Sequence, residues 1–437
     1  MKLLAIALTL LLTCFNRISA QSIGVSTQPG VTQPLTLVQA EQTALKNNPR
    51  IAVSRLLALA QGQVVRQARA GELPEITGNL TAVDSHTGSR ITAGALNNPV
   101  VYQRAAGGVT ASQLITDFGR IHNLVASSEL RAKADQSTEA ATSADIILAV
   151  DQAFYRALGS QAVLAVARQT VSTRQATSDQ VNALTGAKLK STLDLSFANV
   201  NLSEAKLLLL DAQNADADAT TTLDALLGEE KPLAYTLVDL TPASLAPPPV
   251  DAEPLVSQAF QSRPDLIALT MDLASAKKFS AAEHDLSRPT IEALGSVGGT
   301  PVRSDQITSS WFEAVGVNIS IPIFNGSLYS ARAKEADLRA SAAEQQVRDL
   351  RENIARDVRA TVLTAQSNFQ RIAVTQELLN QANSAFDFAQ TRYKFGLSSI
   401  VELSQAQLAQ TEAQIDYATA RYSYQSSLSA LRFQTGQ

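Results

Sequence analysis

The chain has 437 residues, 36 Lys and Arg against 40 Asp and Glu, 3 His, one Cys and a mean hydropathy of zero. A net charge of −4 with no basic cluster excludes a nucleic-acid binder that works by neutralising phosphates, and one Cys excludes a disulfide framework or a Cys-rich metal site. Beyond the N-terminus no run of about 20 apolar residues occurs, so no transmembrane helix is expected; a membrane β-barrel stays open, because alternating strands leave hydropathy near neutral.

Residues 1–20 read as a secretory signal peptide, with Met1-Lys2 as the positive start, Leu3 to Phe15 as the apolar stretch and cleavage after Ile18-Ser19-Ala20. The alternative is a lipoprotein signal on Leu11-Leu12-Thr13-Cys14, which would leave Cys14 lipidated. Thr13 is a poor residue before a lipid-bearing Cys, so loss of Cys14 with the signal is the expectation. Either way the chain is exported.

A first unit spans 35–228. Ile76, Gly78, Leu80 and Ala82 alternate with Thr77, Asn79, Thr81 and Val83, which predicts a strand over about 74–84; Val109 to Leu114 lies in a return strand over about 106–116, after a polar loop. From 100 to 231 there is no Pro, and from 120 to 227 only Gly159 and Gly186 interrupt, so a helix of about 120–185 is predicted, then a shorter one. Residues 229–252, with Pro242 and Pro247-Pro248-Pro249, form a linker. A second unit spans 253–436. Its strands are predicted over about 289–297 and 311–323, where Val315, Val317, Ile319, Ile321 and Ile323 alternate with Gly316, Asn318, Ser320 and Pro322. Only Gly396 interrupts 327–435, so a helix of about 327–395 follows; Val347, Leu350, Ile354, Val358, Ala365, Phe369 and Ile372 give it a narrow coiled-coil stripe. The fold class is α+β, mainly α, in two tandem units, each with a β-hairpin and long coiled-coil helices.

The units match each other. Pro49 and Pro264, and Pro74 and Pro289, stand at one offset of 215; Leu195-Ser196, Ala198, Glu204-Ala205, Ala212, Leu223 and Gly228 match Leu403-Ser404, Ala406, Glu412-Ala413, Ala420, Leu431 and Gly436 at an offset of 208. Phe118-Gly119 aligns with Asn325-Gly326 where each long helix opens. With this doubling, the signal peptide and the segments Gln113 to Gly119, Ile321 to Gly326 and Arg392 to Leu403, the chain resembles the TolC-type outer-membrane efflux protein family over essentially its whole mature length.

The resemblance implies a homotrimer in the outer membrane of a Gram-negative type envelope. Each chain would give four strands to a twelve-stranded barrel and its helices to a periplasmic α-helical tunnel. The function implied is a passive exit duct for efflux or type I secretion, working with a periplasmic adaptor and an inner-membrane pump and surrounded by outer-membrane lipid. It also implies that Asp194 and Glu402 line the narrow end of the tunnel and that Tyr393 helps to hold the entrance closed. Two positions depart from the family pattern: Gln405 stands where a second acid is common, and Ser398 where an Arg often locks the closed state. Gly186 and Gly396, with Leu397, are expected to form the helix-hairpin tips that meet the adaptor. Trp311 and Phe312 begin the fourth strand, where a membrane-interface aromatic belt would lie.

Each candidate has a plainer reading. Asp194 and Glu402 also suit the first turn of any helix, where the macrodipole favours acids, and Trp311 and Phe312 suit ordinary strand packing. Asp117-Phe118-Gly119 spells a kinase signature without the accompanying loops. His86, His122 and His284 lack ligand spacing, and Gly298-Gly299 lacks the Lys-Ser/Thr of a phosphate loop. No catalytic set, cofactor site or metal site is expected, nor is nucleic acid as a partner. The alternative function is a periplasmic coiled-coil scaffold without a pore, which would have no use for two hairpins with apolar faces.

Overall fold

The computed structural model describes residues 33–84, 104–229, 235–240, 245–300 and 309–437. The signal peptide with Cys14, His86 and Pro242 lie outside the described residues.

In chain order the elements are β1 (Gln33–Leu35), α1 (Leu37–Asn47), α2 (Pro49–Ala70), β2 (Glu75–Val83), β3 (Arg104–Thr116), α3 (Arg120–Gly186) and α4 (Thr192–Leu227), then β4 (Tyr235–Leu237), α5 (Glu253–Ser262), α6 (Pro264–His284), β5 (Thr290–Gly299), β6 (Trp311–Ser320), α7 (Leu328–Lys394) and α8 (Ile400–Thr435). Local chemistry sets many of the boundaries. Thr36 and Gln39 form a capping box on α1, and Asn48 caps α2 with Pro49 in its first turn, where a missing N–H costs nothing.

α3 and α7 are each 67 residues long, and α4 and α8 are each 36. At about 1.5 Å per residue the longer pair runs to about 100 Å. No helix among the described residues is long and apolar enough to cross a membrane. A seam of buried residues at seven-residue spacing joins them: Ala198, Ala205, Ala212 and Ala219 of α4, and Ala333, Ala340, Val347 and Ile354 of α7. A strict seven-residue repeat selects left-handed coiled-coil packing, and Ala in it lets the helix axes approach closely. Larger side chains gather at several levels among the described residues, including Leu164 of α3 against Leu208 and Leu209 of α4. Phe154, Tyr155 and Leu158 of α3 pack with Ala40 and Ala44 of α1 and Leu223 and Leu227 of α4. Val256 and Leu266 meet Ile354 and Val358 of α7. Another cluster joins the two hairpin tips.

The main sheet has the order β2-β3-β5-β6, all antiparallel, and stands where α2 and α6 end and α3 and α7 begin. β1 and β4 form a separate parallel pair. The sixth strand stops at Ser320, short of the expected 323. Pro322 is the reason, since it has no N–H for a ladder. The chain then turns sharply into each long helix through two consecutive left-handed residues, Phe118-Gly119 (φ 58° and 107°) and Gly326-Ser327 (φ 60° and 68°). This corrects the alignment of Phe118-Gly119 with Asn325-Gly326. Gly119 corresponds to Ser327, and the spacing of 208 holds from this joint through the helix starts, Arg120 to Leu328 and Thr192 to Ile400. The Asp117 carboxylate accepts hydrogen bonds from the N–H groups of Gly119 at 3.2 Å and Ile121 at 2.7 Å, so the kinase-like triplet is a helix cap.

Candidate functional site

The two hairpin tips lie together at the end of the helices away from the sheet. Val181 of α3, Ala198 of α4, Phe386, Ala389 and Tyr393 of α7, and Ile400 and Leu403 of α8 form one buried cluster there. The tips close alike. In the first, the Lys188 N–H donates to Thr185 O and the Leu189 N–H to Leu184 O, both at 2.9 Å. In the second, the Gly396 N–H donates to Tyr393 O at 3.1 Å and the Leu397 N–H to Arg392 O at 2.8 Å. This paired closure is the Schellman motif, and it needs one left-handed residue. Gly396 supplies it in the second tip with φ 72°. In the first tip the expectation for Gly186 fails: Gly186 is the last helical residue, and Lys188 takes the left-handed conformation with φ 62°. The fixed spacing of 208 matches Lys188 to Gly396, Leu189 to Leu397 and Asp194 to Glu402. Leu189, Leu193, Phe395 and Leu397 are all exposed.

The two acids are each engaged locally. Asp194 completes a capping box: its Oδ2 accepts from the Ser191 N–H at 3.2 Å and the Ser191 hydroxyl at 3.0 Å, while its own N–H donates to Ser191 Oγ. Glu402 pairs with Arg392, Nε to Oε1 at 3.1 Å, and its N–H donates to Ser399 Oγ. Arg392 also donates to Leu397 O, so it ties the turn as well as the acid. Gln405 is exposed one turn further on.

Tyr393 is 4% exposed, and its hydroxyl is buried without a hydrogen-bond partner. Burial, and then the charge of Asp194, pushes its phenol pKa up. The Nζ of Lys190, from the other hairpin, stands 4.5 Å from the Tyr393 ring centroid, within cation–π range. Lys190 is the 208-offset counterpart of Ser398, so a cation missing from the second tip is present in the first. Sequence reasoning missed Arg392, Lys188 and Lys190. The charged letters were visible, but their pairing across hairpins was not.

At the opposite end, register sorts the sheet into two faces. Ile76, Leu80, Val109, Ala293, Val297, Val315, Val317 and Ile319 share one face; Thr77, Asn79, Thr110, Ser112, Ser296, Asn318 and Ser320 share the other. Val315 is 93% exposed, so the apolar face is uncovered in the single chain. Trp311 and Phe312 are consecutive strand residues and point to opposite faces, so they cannot serve as an aromatic pair on one of them. Trp311 stands on the apolar face. Phe312 lies on the polar one, over Gly298 directly across the ladder.

The histidine neighbourhoods are structural in layout. His284 Nε2 lies 3.1 Å from Asp337 Oδ1, a carboxylate that also accepts from Ser280, and His122 is exposed. No group of three or more potential metal ligands occurs among the described residues.

Comparison with known proteins gives one consistent result. The family model described as outer membrane efflux protein matches residues 40–229 and 255–437. The outer membrane protein TolC of Escherichia coli (strain K12) is 22% identical over 408 residues, covering 90% of this chain and 80% of the relative. The solvent efflux pump outer membrane protein SrpC of Pseudomonas putida is 24% identical over 384 residues, covering 85% and 78%. Among solved structures, the outer membrane protein VceC of Vibrio cholerae superposes with a TM-score of 0.80 at 18% identity, over 92% of this chain and 96% of that one.

Proposed function

The chain belongs to the outer membrane efflux protein family and works as an outer-membrane exit duct, and we propose that it does so as a trimer of internally doubled protomers. The observation that carries this reading is the four-stranded sheet with one mainly apolar and one mainly polar face and with β2 and β6 at its edges among the described residues. A sheet of this kind is stable in lipid only when closed, because unpaired edge groups cannot be hydrated there. β2 and β6 run antiparallel to each other, so joining β6 of one copy to β2 of the next continues the alternation. Three copies give the twelve strands that the family resemblance implies, with the apolar face toward outer-membrane lipid and the polar face toward the lumen. Trp311 then belongs to the lipid interface and Phe312 to the lumen side.

The equal helix lengths and constant spacing support a duplicated unit, one copy over 35–228 and one over 253–436. At the other end, the shared tip core supports an entrance in which Tyr393, Asp194, Glu402 and Gln405 lie near the constriction. Gly396 and Leu397, with Lys188 and Leu189 in the role first given to Gly186, form the outermost turns available to a periplasmic adaptor. Relatives named as efflux-pump outer membrane proteins support a pump partner in the inner membrane. A duct of this kind breaks no bond, so no catalytic step is assigned.

The test is a pair of charge substitutions on opposite sheet faces. Val315→Arg places a charge toward lipid, at a cost of about 2–4 kcal/mol near mid-membrane, and should abolish the heat-modifiable outer-membrane trimer. Asn318→Arg, on the other face, should leave it intact. Recovery of the parent chain only in the soluble periplasm would overturn the duct and leave the scaffold reading.

A further inference from the structure

We propose that the tip entrance of this duct prefers anions. The inference rests on the duct reading above and concerns the charge of its narrow end. Segments 186–195 and 392–403 carry Lys188, Lys190, Arg392 and Lys394 against Asp194 and Glu402, a cationic excess in a chain whose net charge is −4. One of the two acids is paired with a cation and the other is not. Arg392 pairs with Glu402 at 3.1 Å, whereas Asp194 keeps its charge while its Oδ2 accepts from the backbone and hydroxyl of Ser191, so three lysines stand against one unpaired acid in each copy.

The lysines are not paired in this way. Among the described residues no ion pair joins Lys188, Lys190 or Lys394 to a carboxylate. Lys190 is held over the Tyr393 ring, whose body is locked into the tip core, so its ammonium has a fixed seat beside the proposed constriction. Lys188 is at the turn itself and Lys394 is the last residue of α7; both are exposed.

Three copies around one axis would stack these cations into a collar. The field of such a collar reaches one Debye length, about 8 Å at physiological salt, into the opening. A confined mouth lined by one sign of charge concentrates the opposite ion, and rings of Lys or Arg select anions. Small inorganic anions are the probe class; anionic cargo is the corresponding substrate class.

The experiment is the reversal potential of the purified full-length protein in planar bilayers under a KCl gradient. The parent should show a severalfold permeability preference for chloride. The triple variant Lys188→Gln, Lys190→Gln, Lys394→Gln should lose it, and the corresponding triple Lys→Arg variant should keep it. Glu402→Gln, which releases Arg392, should increase it. A parent that prefers potassium, or a preference unchanged in the Gln triple variant, would overturn the inference while leaving the duct in place. Absence of any conductance would instead strike at the duct reading itself.

Discussion

Lys190 and Tyr393 join the two helical hairpins of one chain through the face of an aromatic ring, with Nζ 4.5 Å from its centroid. The phenol hydroxyl is buried and unpaired, so the ring and not the oxygen makes the connection. Tyr393→Phe should therefore match or exceed the parent in stability, since an unsatisfied buried polar group costs about 1–3 kcal/mol. Tyr393→Ala should lose about 3–5 kcal/mol of local stability through lost ring burial. Limited proteolysis at the tips, with the helical melting curve, reads both; a Phe variant cleaved as fast as the Ala variant would show that the hydroxyl matters.

The two tip turns differ at one residue that decides their strain. Lys188 adopts φ 62° where Gly396 adopts φ 72° in the same hydrogen-bonded turn. A left-handed non-Gly residue costs about 1–2 kcal/mol, partly offset by the chain freedom that Gly brings to the unfolded state. Lys188→Gly should stabilise the first tip by about 0.5–1 kcal/mol, and Gly396→Lys should destabilise the second by about 1 kcal/mol. Amide hydrogen exchange at residues 184–190 and 392–398 distinguishes the two, and shifts of the same sign would contradict the account.

In the sheet, Gly298 sits under Phe312 and against Gly108 of β3. A Cβ at 298 would stand 2.6 Å from Phe312 Cζ, 2.7 Å from Gly107 O and 2.9 Å from Gly108 Cα. The aromatic tip could move, but the backbone of β3 could not without breaking the ladder. Gly298→Val should prevent or weaken formation of the proposed barrel, seen as loss of the heat-modifiable band, whereas Gly316→Val, at a position with open space around it in the single chain, should not.

Stability should fall as pH rises from acid toward neutral through one carboxyl. Burial first, then the hydrogen bond and charge of Asp151, raise the Glu41 pKa from 4.5 to about 7, against the pull of Arg432. Asp151 is 4% exposed and belongs to α3, so this pair stands where α1 docks on the long helix. The folded chain holds the Glu41 proton more tightly than the unfolded one. The stabilisation is therefore complete below about pH 4.5 and is lost progressively as pH rises to about 7. Glu41→Gln should flatten the melting temperature across that window; an unchanged slope would place the titration elsewhere.

Much of this architecture was legible because helices and strands leave different residues out. The absence of Pro and near absence of Gly from 120 to 185 marked a helix that the structure ends one residue later, at Gly186. Alternation marked the strands, although apolar alternation past Ser320 overrode the stop that Pro322 imposes. The tip was less legible. Gly186 looked like the turn former, but turn closure selects a position relative to the hydrogen bonds and left a Lys there. The partners of Asp194 and Glu402 were hidden for a related reason. The Ser191 and Arg392 contacts depend on side-chain direction, and Lys190 meets Tyr393 only once two hairpins more than 200 residues apart in sequence are side by side.

The matched helix lengths carry a consequence for size. α3 and α7 share one length, α4 and α8 another, and α4 over 198–219 and α7 over 333–354 carry a buried residue at every seventh position. Removing one or two residues from any limb would rotate every contact beyond the cut off its seam and leave its twin out of step. The reach of the protein therefore changes with least disturbance by whole heptads made in all four limbs together. At about 1.5 Å per residue that is a ladder of steps of about 10 Å, so an envelope that widens by less leaves the gap for another component to fill.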